Sequence, residues 1–553
     1  MTRTAATRKG PAVATRLAAF AAALLLSACG GRQAADSTTK PPSDPFGLPD
    51  TTAAAAGPVP KVTWALYRQV KSLDPATAFD YPENTVIATL CDSLLRQQPD
   101  GSLAPGLASA YSYPTPTALQ LTLRPDARFW DGSPVTAADV VFSLNRHLDP
   151  ETGSFYGANL ERISGISASG DTVTISLSKP DYWLAGELSA MPGVVVQERY
   201  ARAKGRDFGT AAGGTMCSGP YKLAGWEPGA AVRVAARPDY WDAALRPLAQ
   251  EIAFRGVSDA ATLTTGLTTG EIDGSWITDT SNLAQLRRNP SINVHLGPSM
   301  ETQYFIPANL TGVLGDVRVR RALSLAFDRR TYISATYGGD AFVPRMATNP
   351  GTWGFAKPAF RAAWDAAPEL SQDLEQAKKL ISEAGATGKP LVIGTSTGLA
   401  TVATQANAWL QAANAIGLKA SLHNVSPENY INFFTDPGAR AAVDAFSTTT
   451  YGDYADPAAL ANTFIAPNGS QNYSGYQNHA ILTILENARA EADPARRAQL
   501  DIDADKLIMR DLPWIPLAHP PSVLALNRKL TGVPTSFVYM QAPWLAKLGA
   551  AAG

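Results

Sequence analysis

Apolar positions along the chain switch repeatedly between a period of two and a period near 3.6, the mark of mixed strands and helices. Leu119, Leu121 and Leu123 alternate with polar residues and predict a strand. Asp131-Gly132 follows as a turn. Thr136, with Asp139 three positions later, predicts a capping box and a helix to about Arg146. Residues 171–177 (DTVTISL) alternate as a second strand, and residues 317–333 carry apolar side chains at helical spacing. Residues 375–386 read as a helix with a glycine stop and 390–395 as a strand. Residues 404–418 then read as a helix and 419–425 as a strand, completing a βαβ-like unit. The pattern predicts an α/β protein.

The N-terminal pattern is different. Arg3, Arg8, Lys9 and Arg16 precede an uninterrupted apolar stretch at 17–26. It is too short to span a bilayer as a helix and fits the core of a signal peptide. Leu26, Ser27 and Ala28 lead into Cys29 and Gly30, which resembles the bacterial lipobox, whose Cys is lipidated and becomes the new N-terminus. An ordinary signal peptide with a chance Cys is the alternative. Residues 30–61 are rich in Ser, Thr, Pro, Asp and Ala and read as a flexible tether. These features place the mature protein outside the cytoplasmic membrane, held on its outer face by lipid.

Composition changes the picture in three ways. About 490 residues follow the tether, too many for one core, so two or three domains are expected. With 45% hydrophobic residues and a formal charge of −1, nothing points to nucleic acid or to an anionic membrane face. No later stretch approaches 18 consecutive apolar residues, which leaves the lipid as the membrane contact. With Cys29 committed to lipid, Cys91 and Cys217 remain. In an oxidising compartment a disulfide between them is the first expectation, with two buried free thiols as the alternative.

One stretch, TTTYGDYADP (448–457), carries two carboxylates three positions apart. Asp456 precedes Pro457 and a helix-forming run, the arrangement of an N-cap. Asp453, between Tyr451 and Tyr454, has no such task. Two chemistries compete for it. GTSTG (394–398) matches the nucleophile-elbow pattern, and Ser396, Asp453 and His479 follow in α/β-hydrolase order. No His-Gly-Gly oxyanion segment lies upstream, and the five-residue pattern is common by chance in a chain rich in Gly and Thr. Metal binding is disfavoured because His147, His295, His423, His479 and His519 are scattered singly, without ligand spacing. No cofactor motif is present.

The third chemistry comes with a resemblance. SLDPATAFD (72–80), CDSLLRQQPDGSLAPGLASAY (91–111), LTLRPDARFWDGSPVTAADVVFSLNR (121–146), CSGPYKL (217–223), RPDYWD (237–242), GLTTGEIDG (266–274), GDVRVRRALSLAFDR (315–329) and GDYADP (452–457) follow one another in a single order. In that order they resemble the family 5 extracellular solute-binding proteins, the peptide- and nickel-type receptors of bacterial ABC importers. One departure is Cys217-Ser218, where the family often has Gly-Thr. The resemblance implies a non-enzymatic, monomeric receptor that serves a permease and its ATPase. It implies a two-lobed periplasmic-binding-protein-like fold of type II, its lobes joined by two crossing strands. Lobe I would comprise 62–81, 194–299 and 525–553, with an extra small domain at 82–193, and lobe II 300–524. The ligand would be a small peptide, or alternatively an opine, a sugar or a metal chelate. Asp453 would pair with the ligand's α-ammonium, with Tyr451, Gly452 and Tyr454 beside it. Main chain near Gln69 and at 447–451 would hydrogen-bond an extended peptide. Arg345 is the candidate partner for a ligand carboxylate.

Overall fold

The computed structural model describes residues 45–552, so Cys29 and the apolar stretch before it lie outside the described residues. Three sheets organise the chain. A seven-stranded sheet runs in the order Ile292–Gly297, Ser522–Asn527, Gly274–Trp276, Val59–Leu66, Ala249–Gly256, Ala231–Ala236, Tyr221–Glu227. A five-stranded sheet runs Lys419–Asn424, Pro390–Thr395, Ala445–Thr450, Thr302–Pro307, Ile515–Ala518. A four-stranded antiparallel sheet is made of Ala108–Thr115, Ala118–Leu123, Thr172–Leu177 and Ile163–Ser169.

The first two sheets are joined by two short crossings. Ile292–Gly297 runs through residues 298–301 into Thr302–Pro307, and Ile515–Ala518 returns through 519–521 into Ser522–Asn527. Each lobe therefore has its own sheet, and few backbone torsions connect them. Each sheet also has its own core. Trp64, Val86, Ile87, Phe254, Leu524 and Trp544 belong to one, Leu119, Leu121, Val140 and Ile175 to a second. In the other lobe Phe305, Leu323, Ile393 and Trp409 pack together. The helix Tyr81–Leu90 packs into the first core rather than with the small sheet.

Local chemistry explains several boundaries. In Ala118–Leu123 the alternation is real, with Leu119, Leu121 and Leu123 buried. Thr136 and Asp139 form the full capping box of helix Ala137–Leu148. The unit Pro390–Thr395, Ala400–Ala415, Lys419–Asn424 is a parallel βαβ crossover. The expected single helix at 317–333 is instead two, Val317–Ala326 and Arg329–Tyr337. Asp328 adopts a non-helical conformation and caps the second by accepting from the Thr331 N–H. An Asp inside an apolar period of 3.6 prefers to satisfy orphan N–H groups rather than continue the helix.

The tether limit also needs correction. Residues 45–58 do not behave as free chain. Thr52 N donates to Val533 O at 2.9 Å, Ala56 N to Ala550 O at 2.8 Å, and Phe46 stacks on Trp353. Backbone pairing is independent of side-chain type, so composition gave no sign of it.

Cys91 and Cys217 are joined by a disulfide. It ties the end of helix Tyr81–Leu90 to the segment leading into Tyr221–Glu227 and closes a loop spanning 126 positions. A cross-link across so long a loop limits the unfolded chain, with a typical contribution of about 2–4 kcal/mol. The expected result for Cys91→Ser with Cys217→Ser is a loss of unfolding free energy of that size in urea titration. An unchanged midpoint would show that the bond adds nothing to stability.

Candidate functional site

The strand Ala445–Thr450 ends directly before Tyr451, and the helix Pro457–Ile465 begins just beyond Asp456. Asp456 starts that helix: its Oδ1 accepts from the N–H groups of Ala458 and Ala459, each at 3.0 Å. Asp453 is thereby free for another use. Its backbone carbonyl accepts from Gln97 Nε2 at 2.8 Å, and its Oδ1 accepts from Gln541 Nε2 at 3.1 Å. Burial pushes its carboxyl up to about 7, with the Gln541 hydrogen bond opposing the rise.

Around Asp453 the protein assembles polar groups from separate chain segments. Asn84, on helix Tyr81–Leu90, is fully buried, and neither of its amide atoms has a partner within hydrogen-bond geometry. Gln97 and Gln541 each use their amide nitrogen on Asp453, leaving both Oε1 atoms buried and unpartnered. Tyr156 donates to Ala78 O at 2.9 Å, and its hydroxyl lies among Asp453, Asn84 and Glu187. Buried polar groups are normally paired, so several orphans near one carboxyl group leave hydrogen-bonding capacity for a group from elsewhere. The unused atoms of Gln97 and Gln541 are oxygens. They require donors.

Tyr451, Gly452 and Tyr454 take unequal parts. The Tyr451 ring lies 4.9 Å from Tyr81 and 5.2 Å from Phe537, and its hydroxyl donates to Phe79 O at 3.0 Å across the lobes. Gly452 is buried, and a Cβ there would come within 3.0 Å of Tyr454 O. Tyr454 packs on the segment that leads into Glu187. Its ring packs so closely on Gly186 that a Cβ at Gly186 would sit 2.2 Å from it.

The cleft continues past Tyr81 to Glu301, which accepts from the Tyr81 hydroxyl and which burial pushes up to about 7. Glu301 lines a cavity of about 170 Å³ with Thr278, Gln303, Tyr337, Thr448 and Thr449. One edge of Ala445–Thr450 is paired with Thr302–Pro307, while among the described residues the other meets a strand only at Ala445. Residues 446–450 thus present a strand edge beside that cavity. A larger cavity of about 380 Å³, under Phe46 and Trp353, includes neither Asp453 nor the orphaned amides.

The remaining expected site residues lie elsewhere or are engaged. Gln69 O accepts from Arg68 Nη1 at 2.9 Å, and Arg68 is held by Asp80 at 2.6 Å and Glu83 at 2.8 Å. Arg345 lines none of these cavities; it donates to Ala367 O at 3.0 Å and faces Glu369. Its loop folds back on lobe II, which no local sequence signal announced. Ser396 is buried with its Oγ unpartnered, and His479 is exposed at the start of helix His479–Ala490, so the hydrolase triad does not assemble. Among the described residues no cluster of three or more His, Cys, Asp or Glu is placed to hold a metal, and no helix is long and apolar enough to cross a membrane. Sequence reasoning missed Asn84, Gln97, Tyr156, Glu187, Gln541 and Glu301. None carries a local motif, and they converge only in the fold.

Known proteins match the chain along most of its length. The model of the bacterial extracellular solute-binding proteins, family 5, matches residues 102–472. The periplasmic oligopeptide-binding protein OppA of Escherichia coli is 27% identical over 82% of this chain and 85% of its own. The periplasmic binding protein DppA of Helicobacter pylori, solved with the peptide STSA, superposes with a TM-score of 0.77 at 21% identity, covering 90% of this chain and 99% of that one. AgaA of Agrobacterium tumefaciens, solved with agropinic acid, gives 0.76 at 22% identity over 89% and 99%. The protein has the two-lobed fold of the periplasmic binding proteins, and its relatives are transport receptors rather than enzymes. The chain belongs to family 5 of the bacterial extracellular solute-binding proteins.

Proposed function

We propose that the protein is the substrate-binding component of an ABC importer and captures small peptides by their α-ammonium at Asp453. The observation that carries this reading is the half-buried Asp453 carboxyl group, largely shielded from water and surrounded by unpartnered amide oxygens. An ammonium ion supplies both a counter-charge and three N–H donors to such a space. The strand edge at 446–450 supports the peptide assignment, because an extended peptide exchanges main-chain hydrogen bonds with such an edge regardless of its side chains. Hinge movement at 298–301 and 519–521 would open and close the lobes, delivering the ligand to the permease and its ATPase. The test is native mass spectrometry of the purified protein with release of its ligand. Short peptides are expected; a sugar or a metal chelate would overturn the reading.

A second reading has one observation in its favour. The cavity at Glu301 has no Lys or Arg among its described lining residues. An amine-bearing ligand without a free carboxylate fits that cavity as well as a peptide does.

The receptor acts as a lipid-anchored monomer on the outer face of the cell membrane. Cys29→Ser is expected to release the mature protein from the membrane fraction, since the apolar stretch at 17–26 cannot anchor it once cleaved. Retention of the cleaved Cys29→Ser protein in that fraction would disprove lipidation as the anchor.

A further inference from the structure

Glu187 has no part in the peptide reading, yet it stands beside it. It ends the helical turn Leu184–Glu187, is only 7% exposed, and accepts from Asn159 Nδ2 at 3.3 Å. It lines a cavity of about 60 Å³ with Asn159, Asn462, Thr463 and Ser470. Burial first, and then the charge of Asp453, push Glu187 up to about 8. Tyr156, Tyr454 and Asp181 are the other ionisable groups around it. The cation that faces it is Arg489, which is already engaged. Its Nη2 donates to Asp181 at 2.6 Å and to Asn159 O at 3.1 Å, and its Nη1 lies 3.5 Å from Glu161.

Asp453 is close enough for its charge to act on Glu187, and three buried amide oxygens near Asp453, Asn84 Oδ1, Gln97 Oε1 and Gln541 Oε1, are unpartnered. The orientation of both Gln amides is set by their nitrogens' bonds to Asp453. Unpartnered donors nearby are Asn84 Nδ2, Trp183 Nε1, Tyr454 Oη and Arg489 Nε, and none brings a charge that is not already matched. One α-ammonium carries a single charge and three N–H groups. It balances Asp453 and leaves Glu187 unmatched, and an unmatched buried carboxylate is costly. The cost is removed by a proton or by a second cation. The cavity at Glu187 has room for the head of a side chain; its wall carries the Arg489 guanidinium, already matched by Asp181 and Glu161, together with the oxygens of Asn159, Glu161, Asn462, Thr463 and Ser470, which an ammonium or guanidinium group could use.

We infer that Glu187 accepts a second positive charge carried by the ligand's first residue, so that the receptor selects peptides beginning with Lys, ornithine or Arg. The inference rests on the peptide reading and names the specificity of the same site. Its test is calorimetry with Lys-Ala-Ala and norleucine-Ala-Ala, which share length and apolar stem and differ in the charge of the first side chain. Wild-type protein is expected to prefer the Lys peptide by roughly 30-fold or more, the low end for loss of one partner of a buried charge pair. In Glu187→Gln, an isostere of the protonated acid, that ratio should collapse towards one. No preference in the wild type, or a preference undiminished in Glu187→Gln, would show that Glu187 holds only a proton, and the inference falls while the peptide reading stands. The wild-type ratio decides even if the variant folds poorly. If neither peptide binds wild-type protein, both readings fall together.

Discussion

Asp453→Ala should lower the affinity for an unblocked peptide by about 30- to 4,000-fold. Removing one member of a desolvated charge pair strands the other, at roughly 2–5 kcal/mol. The geometry argues for this size of effect, because Asp453 is desolvated and its neighbours Gln97 and Gln541 orient it without neutralising it. The fold should survive the change, since the helix Pro457–Ile465 is capped by Asp456. Asp456→Ala is the control: it removes two hydrogen bonds to orphan N–H groups and should cost about 1 kcal/mol of stability with little direct effect on affinity. Acetylating the peptide's amino group should cost the wild type about as much as Asp453→Ala does, and should cost the Ala variant little more. Calorimetry on the four combinations measures the coupling. Equal binding of free and acetylated peptides by the wild type would reduce Asp453 to a structural acid.

What the sequence made legible was local. The capping box of Thr136 and Asp139, the alternation at Leu119, Leu121 and Leu123, and the N-cap role of Asp456 all depend on residues within a few positions of one another. Asp453 stood out because a neighbouring acid already performed the bland task. The rest of the site was invisible for a physical reason. Asn84, Gln97, Tyr156, Glu187 and Gln541 come from distant places in the chain, and a lone amide has the same appearance in sequence whether it faces solvent or an enclosed cation site. Arg345 failed in the opposite direction, since a charged residue in a loop gave no indication that Ala367 and Glu369 would engage it. Tyr454 matched an aromatic flanking role until Gly186 proved to offer a flat surface for its ring.

The acids around Asp453 should also make capture depend on pH. Without a cation beside it, Asp453 is pushed up to about 7 by burial. Glu187 beside it is pushed up to about 8, and Glu301 further along the cleft to about 7. Tyr156, Tyr451 and the Arg68-paired Asp80 are the other ionisable groups close to Asp453. On the proposed reading a peptide ammonium binds the ionised carboxylate, so below pH 7 each ligand would first have to displace a proton. For a peptide with a neutral first residue, affinity should fall about 5-fold from pH 7 to pH 6 and about 50-fold from pH 7 to pH 5. Above about 8 it should fall again as the ammonium itself loses its proton. The linked effect on the unliganded protein has the opposite direction. Carboxyls raised above their unfolded values stabilise the folded form at low pH, and that contribution is lost as the pH rises through their folded values of about 7 to 8. The thermal midpoint without ligand should therefore decrease from pH 5 to pH 8, by about 2 °C or more, while saturating peptide should stabilise most near pH 7 to 8. Calorimetric titrations and thermal melts at pH 5, 6, 7 and 8 measure both. Affinity independent of pH across that range would mean that Asp453 is ionised before the ligand arrives, and the buried-acid account of capture would fail.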